Sequence, residues 1–188
     1  MFRWKSSQDS RDVATEYATR RDFQDIFTED MADLHLLAFL LTGDQQKSEE
    51  CFVAGLEDSI AGNPVFREWA RSWSKRAIIK NAIKAVAPAS GSTTESSATR
   101  GNFAWTDDPQ QDALIAAVTN LNPFDRFVFV MTVLEGYSLH ECAALLTGSL
   151  AEVVAAKSRA LQRLGSPQVS ADSTAGTWIA AVAPGQTA

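Results

Sequence analysis

Two short segments, Ser138-Leu139-His140-Glu141 and Ser149-Leu150-Ala151-Glu152, constrain this chain more than any other feature. Each puts a hydroxyl at a helix start and a carboxylate three residues on, so that each side chain satisfies a free backbone amide near the other. A helix of only about eight residues fits between the two starts, and Thr147-Gly148 then supplies the turn. A short helix, a glycine-containing turn and a longer helix carrying Lys157, Arg159 and Arg163 is the sequence form of a helix-turn-helix. Glycine-turn hairpins also build ordinary helical bundles, so this pattern alone leaves both DNA binding and plain structure open.

The rest of the chain is helical in pattern too. Phe23, Ile26, Phe27, Met31, Leu34, Leu37, Ala38 and Leu41 step by three and four, which predicts one amphipathic helix ended by Thr42-Gly43-Asp44. A second helix is expected from about Gln45 to Ile60, with Cys51, Phe52 and Leu56 inward, and Gly62-Asn63-Pro64 breaks it. Asn63 as cap and Pro64 as first helical residue start a third, running to about Val86, whose apolar side is Phe66, Trp69, Trp73, Ala77 and Ile83. Ala87 to Gly101 holds almost no large apolar residue and reads as a flexible linker. Asp108-Pro109 opens the next helix, with Leu114, Ile115, Val118 and Leu121 inward. Asn122-Pro123 opens another, with Phe127, Val128, Val130, Met131 and Leu134, which Gly136 ends. The reading is an all-α chain of two small helical domains, residues 12–86 and 108–165, with a linker at 87–107 and a tail at 166–188. In that tail Trp178, Ile179 and Val182 form an amphipathic segment too short to be stable alone.

Composition narrows the function. No run of about eighteen apolar residues occurs and the first ten residues are polar, which points to a cytoplasmic protein with no membrane partner. Cys51 and Cys142 lie in apolar helical patterns without metal-ligand spacing and read as buried free thiols. His35 and His140 have no catalytic setting, and neither a nucleophile with its base nor a glycine-rich phosphate loop is present, so the chain reads as no enzyme, with no metal and no cofactor. The net charge of −6 argues against nucleic-acid binding on average, yet the charge is divided. Asp25, Glu29, Asp30, Asp33, Asp44, Glu49, Glu50, Glu57 and Asp58 are opposed only by Lys47, whereas Arg67, Arg71, Lys75, Arg76, Lys80 and Lys84 are opposed only by Glu68. An acidic surface followed by a basic helix implies two different partners.

Phe23, Leu34, Leu37-Ala38, Leu41-Thr42-Gly43-Asp44, Ser48-Glu49-Glu50 and Phe66-Arg67-Glu68-Trp69, followed by Leu121-Asn122-Pro123, Leu134-Glu135-Gly136, Ser138 and Arg163-Leu164, resemble in order and spacing regions 2 and 4 of the small, extracytoplasmic-function type of sigma-70-family factors. The resemblance covers about two thirds of the chain. It implies a transcription initiation protein whose acidic second helix docks on core RNA polymerase through Asp44, Glu49, Glu50, Glu57 and Asp58. It also implies that the basic third helix faces promoter DNA, where Trp69 and Trp73 among Arg67, Arg71, Lys75, Arg76 and Lys80 offer stacking faces and cations for melted single strand. The loop Gly62 to Val65 falls where the family holds an extruded base. The helix starting near Ser149 enters a major groove, with Lys157, Arg159 and Arg163 toward phosphates.

Against this stand plainer uses of the same residues. Tryptophans at helical spacing are more often core than platform, and Trp69 is the one expected in the core. The acids of the second helix equally suit a solvated face. The sequence also departs from the family. Val154, Ala155 and Ala156 stand where the recognition helix usually carries a basic pair, and an apolar front cannot hydrogen-bond to base edges. Val53 and Ala54 replace polar residues of the clamp-binding helix, and Leu36 and Leu40 make the helix ending at Thr42 apolar nearly all round, so that it must be covered on every side. Two functions are therefore expected: a working sigma factor, or a sigma-like mimic that has lost DNA contacts and occupies an anti-sigma factor or other partner.

Overall fold

The computed structural model describes residues 16–90 and 108–165. Most of the expected linker, the start of the chain and the tail with Trp178, Ile179 and Val182 lie outside the described residues. Those described are mostly helical and contain no strand, so the chain is all-α. They divide into two compact units. The first comprises 16–38 and 46–85, and the second comprises 39–45, 86–90 and 108–165.

In the first unit, α1 (Arg20–Glu29) opens with Thr19, whose side chain and that of Asp22 form a capping box. Where one continuous helix is expected, the chain breaks at Asp30 and resumes as α2 (Met31–Thr42). The break shifts the helical register, which is why Met31, a member of the expected stripe, is exposed. From Leu34 onward α2 is buried or half-buried at every position, as its all-round apolar sequence requires. Phe23, Ile26 and Phe27 join it in the core.

The inward face of α3 (Gln45–Ala61) differs from the expected one. Ser48, Cys51, Gly55 and Ser59 are buried, while Phe52 and Leu56 are only half-buried. Close approach explains it. A methyl group at Gly55 would lie 2.6 Å from Ile78 Cγ1, so the two helices meet through small residues and the larger ones are displaced to the flanks. Two of the buried hydroxyls are satisfied locally, Ser59 and Ser74 each donating to the carbonyl four residues earlier.

The third expected helix begins later than Pro64. Ala18 N donates to Val65 O at 2.7 Å and Tyr17 pairs with Phe66 as an isolated antiparallel bridge, which keeps Phe66 extended (φ −58°, ψ 140°). A 3₁₀ turn (Arg67–Trp69) follows, and only then α4 (Ala70–Val86). Its buried side is Ala70, Ser74, Ala77, Ile78, Ile79 and Ala82. Phe66, Trp73 and Ile83 are half-buried, and Trp69, expected in the core, is 57% exposed. Trp69 lies on the 3₁₀ turn ahead of α4, so the helical spacing that would turn it inward does not apply.

In the second unit, α5 (Pro109–Thr119) starts at the expected cap, Asp108 accepting from Gln110 N. Asn122 likewise caps α6 (Pro123–Phe129), in which every residue from Phe124 to Phe129 is buried. A π-helical turn (Val130–Leu134) leads to Gly136, whose φ of +70° ends the element. Both capping boxes form. Ser138 and Glu141 start α7 (Leu139–Leu145), and Ser149 and Glu152 start α8 (Leu150–Gly165). Residues 146–149 join the two helices, which bend through 109°. Val153, Ala156 and Ala160 form the buried face of α8. No single described helix is long and apolar enough to cross a membrane.

Candidate nucleic-acid interface

The Tyr17–Phe66 bridge also organises the aromatic groups. Tyr17 stacks on Phe66 at 4.8 Å, and Trp69 meets the same ring edge-on at 5.2 Å. A cavity of about 340 Å³ opens beside them, lined by Glu16, Phe66, Arg67, Glu68 and Trp69. An exposed indole beside an open hollow can take a planar ring, while Glu16 and Glu68 in the lining offset the charge of Arg67. Trp73 sits further along α4, half-buried, with Lys80 Nζ 5.8 Å from its ring centroid.

The cations expected to face DNA are less free than the sequence suggests. Arg67 Nη2 is 2.6 Å from Asp22 Oδ1. Thr19 and then Arg67 hold the Asp22 carboxyl below its ordinary range. Arg71 pairs with Glu29 at 2.8 Å and with Asp30, which raises its pKa above the usual guanidinium value. Lys84 and Asn81 both reach Asp58, at 3.8 Å and 2.9 Å. Lys75 and Arg76 are half-buried. Part of the charge division is therefore neutralised within the first unit: acids of α1 answer the arginines that open α4. Arg67 and Arg71 still keep more than half of their side-chain surface in solvent.

The acidic candidates separate as well. Glu49, Glu50 and Glu57 are exposed and share a face of α3, an arc of about 100°, with the exposed Val53. Asp58 faces α4 through Asn81 and Lys84. Asp44 is half-buried in the turn after α2, where its amide donates to Thr42 Oγ1 and its carbonyl accepts from the same hydroxyl.

On α8, Ser149 is consumed by its capping box: Glu152 Oε2 accepts from its amide at 2.8 Å and from its hydroxyl at 2.7 Å. Those bonds, with one from Ser90, hold the Glu152 carboxyl below its usual range. Arg159 is committed to Asp125 of α6, Nη2 to Oδ1 at 2.6 Å and Nε to Oδ2 at 3.1 Å. Helical geometry places Lys157 about 160° from Arg159 and about 120° from Arg163, so the three expected phosphate contacts do not share a face. The exposed Leu150, Val154 and Leu161 instead fall within an arc of about 40° on the Lys157 side.

Sequence reasoning missed Arg126 and Asp125. Both are buried and charged inside α6, and their surroundings came into view only with the fold. Arg126 donates to Leu41 O, Thr42 O and Thr119 O, and burial lowers its pKa to about 10. Cys51 and Cys142 are buried, and desolvation pushes both thiols up to about 11. Among the described residues no cluster of His, Cys, Asp or Glu is arranged to hold a metal ion. Comparison with protein-family models, with curated proteins and with solved structures finds no match.

Proposed function

We propose that this chain is a sigma factor-like transcription initiation protein that binds core RNA polymerase and directs it to promoter DNA. The observation that carries the reading is the exposed Trp69, set on a 3₁₀ turn beside Phe66 and Arg67 at an open hollow. A tryptophan that is 57% exposed stabilises little by burial. Stacking on an unpaired base gives such a ring a use; Arg67 and Arg71, paired with carboxylates but more than half exposed, and the exposed Lys80 supply positive charge on the turn and on α4. The 109° helix pair of α7 and α8 falls in the range of DNA-reading helix pairs, and the exposed face of Glu49, Glu50 and Glu57 suits a basic docking surface on polymerase.

A second reading has its own observation. On α8, Arg159 is tied to Asp125 and the exposed flank is Leu150, Val154 and Leu161, an outer surface better suited to a protein than to phosphates. On that reading the protein is a sigma-like mimic that occupies an anti-sigma factor.

Gel filtration of the full chain with bacterial core RNA polymerase, followed by promoter-directed transcription from any complex, separates the two. Co-elution with transcription is expected. Absence of a complex overturns the first reading and directs the search to anti-sigma partners.

A further inference from the structure

Among the described residues, the exposed large apolar side chains Met31, Val53, Trp69 and Val133 stand singly on four different elements. On α8 they form a row instead. Leu150, Val154 and Leu161 are 39%, 45% and 40% exposed and line up along one edge of the helix. This edge lies beside, not within, the face that α8 buries through Val153, Ala156 and Ala160. Single apolar side chains at a surface need no explanation, but a row of three is a seam that another segment can cover.

The size and charge of the row select its occupant. Its three exposed side chains leave roughly 200 Å² of apolar surface in water. A stable complex between separate proteins buries about 800 Å² on each partner, so the row by itself is too small to hold a second copy or another protein. It also contains Lys157, half-buried between Val154 and Leu161, and a second copy would bring another lysine into the same seam. A segment tethered nearby needs no such area, because a short tether supplies an effective concentration on the order of millimolar.

The chain carries such a segment directly after α8. Residues 166–188 contain no lysine, arginine or histidine, and their one charged residue, Asp172, is opposite in sign to Lys157. Trp178, Ile179 and Val182 are spaced as one helical face too short to stand alone, so they need a surface as the row needs a cover. The tether is long enough. Twelve residues separate Gly165 from Trp178 and can span up to about 40 Å, whereas Leu150 lies only about 23 Å from Gly165 along the helix axis.

We propose that the tail segment Trp178–Val182 docks on the Leu150, Val154 and Leu161 row of α8, within one molecule. The docking does not depend on whether the chain works as a sigma factor or as a mimic. In either case, a macromolecule that meets this edge of α8 does so in competition with the tail.

The test uses the full chain with a photoreactive benzophenone amino acid in place of Ser158, which is exposed next to the row. Irradiation of the dilute protein, followed by digestion and mass spectrometry, is expected to give a monomer linked to the peptide that contains Trp178. Trp178→Ser with Ile179→Ser should remove that product. A covalent dimer, or a monomer with no link into the tail, overturns the proposal. Chymotrypsin supplies a second reading. Cleavage after Trp178 is expected to accelerate on the order of tenfold when Val154→Glu and Leu161→Glu place charges on the exposed row. Equal cleavage rates overturn the docking, and if the double variant loses helicity by circular dichroism the crosslink alone decides.

Discussion

Arg159 grips Asp125 with two nitrogens, and the carboxylate it holds is almost completely buried while the guanidinium is about half exposed. The pair ties α8 to the centre of α6. Removing the arginine leaves a desolvated carboxylate without its partner, which costs more than the net worth of the pair. Arg159→Ala is expected to lower the unfolding free energy by about 2 kcal/mol in urea titrations, whereas Arg163→Ala, about one turn further along and exposed, changes it by less than about 0.5 kcal/mol. Equal effects would show that the pair does not anchor α8.

Acid should weaken the fold through three groups. Asp22 and Glu152 have folded pKa values below their unfolded ones, because hydroxyls and amides of their capping boxes favour the charged forms. Their contribution is present above the unfolded values of 3.8 and 4.5 and is lost as pH falls through the lower folded values. His35 is lowered from 6.5 by desolvation, so between 6.5 and its folded value the unfolded state binds more protons and stability falls with pH there too. Urea midpoints from pH 7.5 to 3 should show two declines. Replacing His35 by Gln should flatten the upper one, and Thr19→Ala with Ser149→Ala should flatten the lower.

What the sequence made legible was local chemistry. Ser138, Glu141, Ser149, Glu152, Asp108 and Asn122 announce helix starts because a cap needs only neighbours a few residues away. The break at Asp30 and the late start of α4 were not legible, since the first interrupts an unbroken apolar stripe and the second depends on Tyr17, nearly fifty positions earlier. Trp69 was misplaced for the same reason: the periodicity that assigns it inward assumes a helix from Pro64. Arg67, Arg71 and Arg159 could be counted as cations but not as spent ones, because Asp22, Glu29, Asp30 and Asp125 reach them only through tertiary packing.

The seam between α3 and α4 should tolerate no added carbon. A methyl at Gly55 would stand 2.6 Å from Ile78 Cγ1 and 3.3 Å from Ile78 N, and backbone cannot rotate aside as a side chain can. Gly55→Ala is therefore expected to destabilise by about 1–3 kcal/mol despite the better helix propensity of alanine. Combined with Ile78→Ala, which removes Cγ1, it should cost less than the sum of the two single changes in thermal melts; additive costs would place the strain at the backbone contact.

Both thiols should be silent until the chain unfolds. Cys51 and Cys142 are 2% and 0% exposed, and burial raises their pKa to about 11, so little thiolate exists at pH 8 and none of it is accessible. An aromatic disulfide reagent is expected to label neither within minutes in buffer and both in denaturant. Prompt labelling of Cys142 would show that α7 opens readily.

Trp69 and Trp73 offer the sharpest separation of stability from function. Trp69 is exposed and its principal ring contact is the edge of Phe66, so Trp69→Ala should cost less than about 1 kcal/mol of unfolding free energy. Trp73 is half-buried on α4 with Lys80 over its face, and Trp73→Ala should cost more. If the hollow beside Trp69 receives an unpaired base, the order reverses for DNA: in the polymerase complex Trp69→Ala weakens binding to a single-stranded promoter segment by about 1–3 kcal/mol, a loss on the order of tenfold or more. Trp69→Phe keeps a stacking face and should restore much of it. Fluorescence anisotropy of a labelled strand, with urea titrations of the same variants, reads both orders, and a Trp69→Ala protein that is stable and binds DNA as wild type would leave the exposed indole without the role assigned to it.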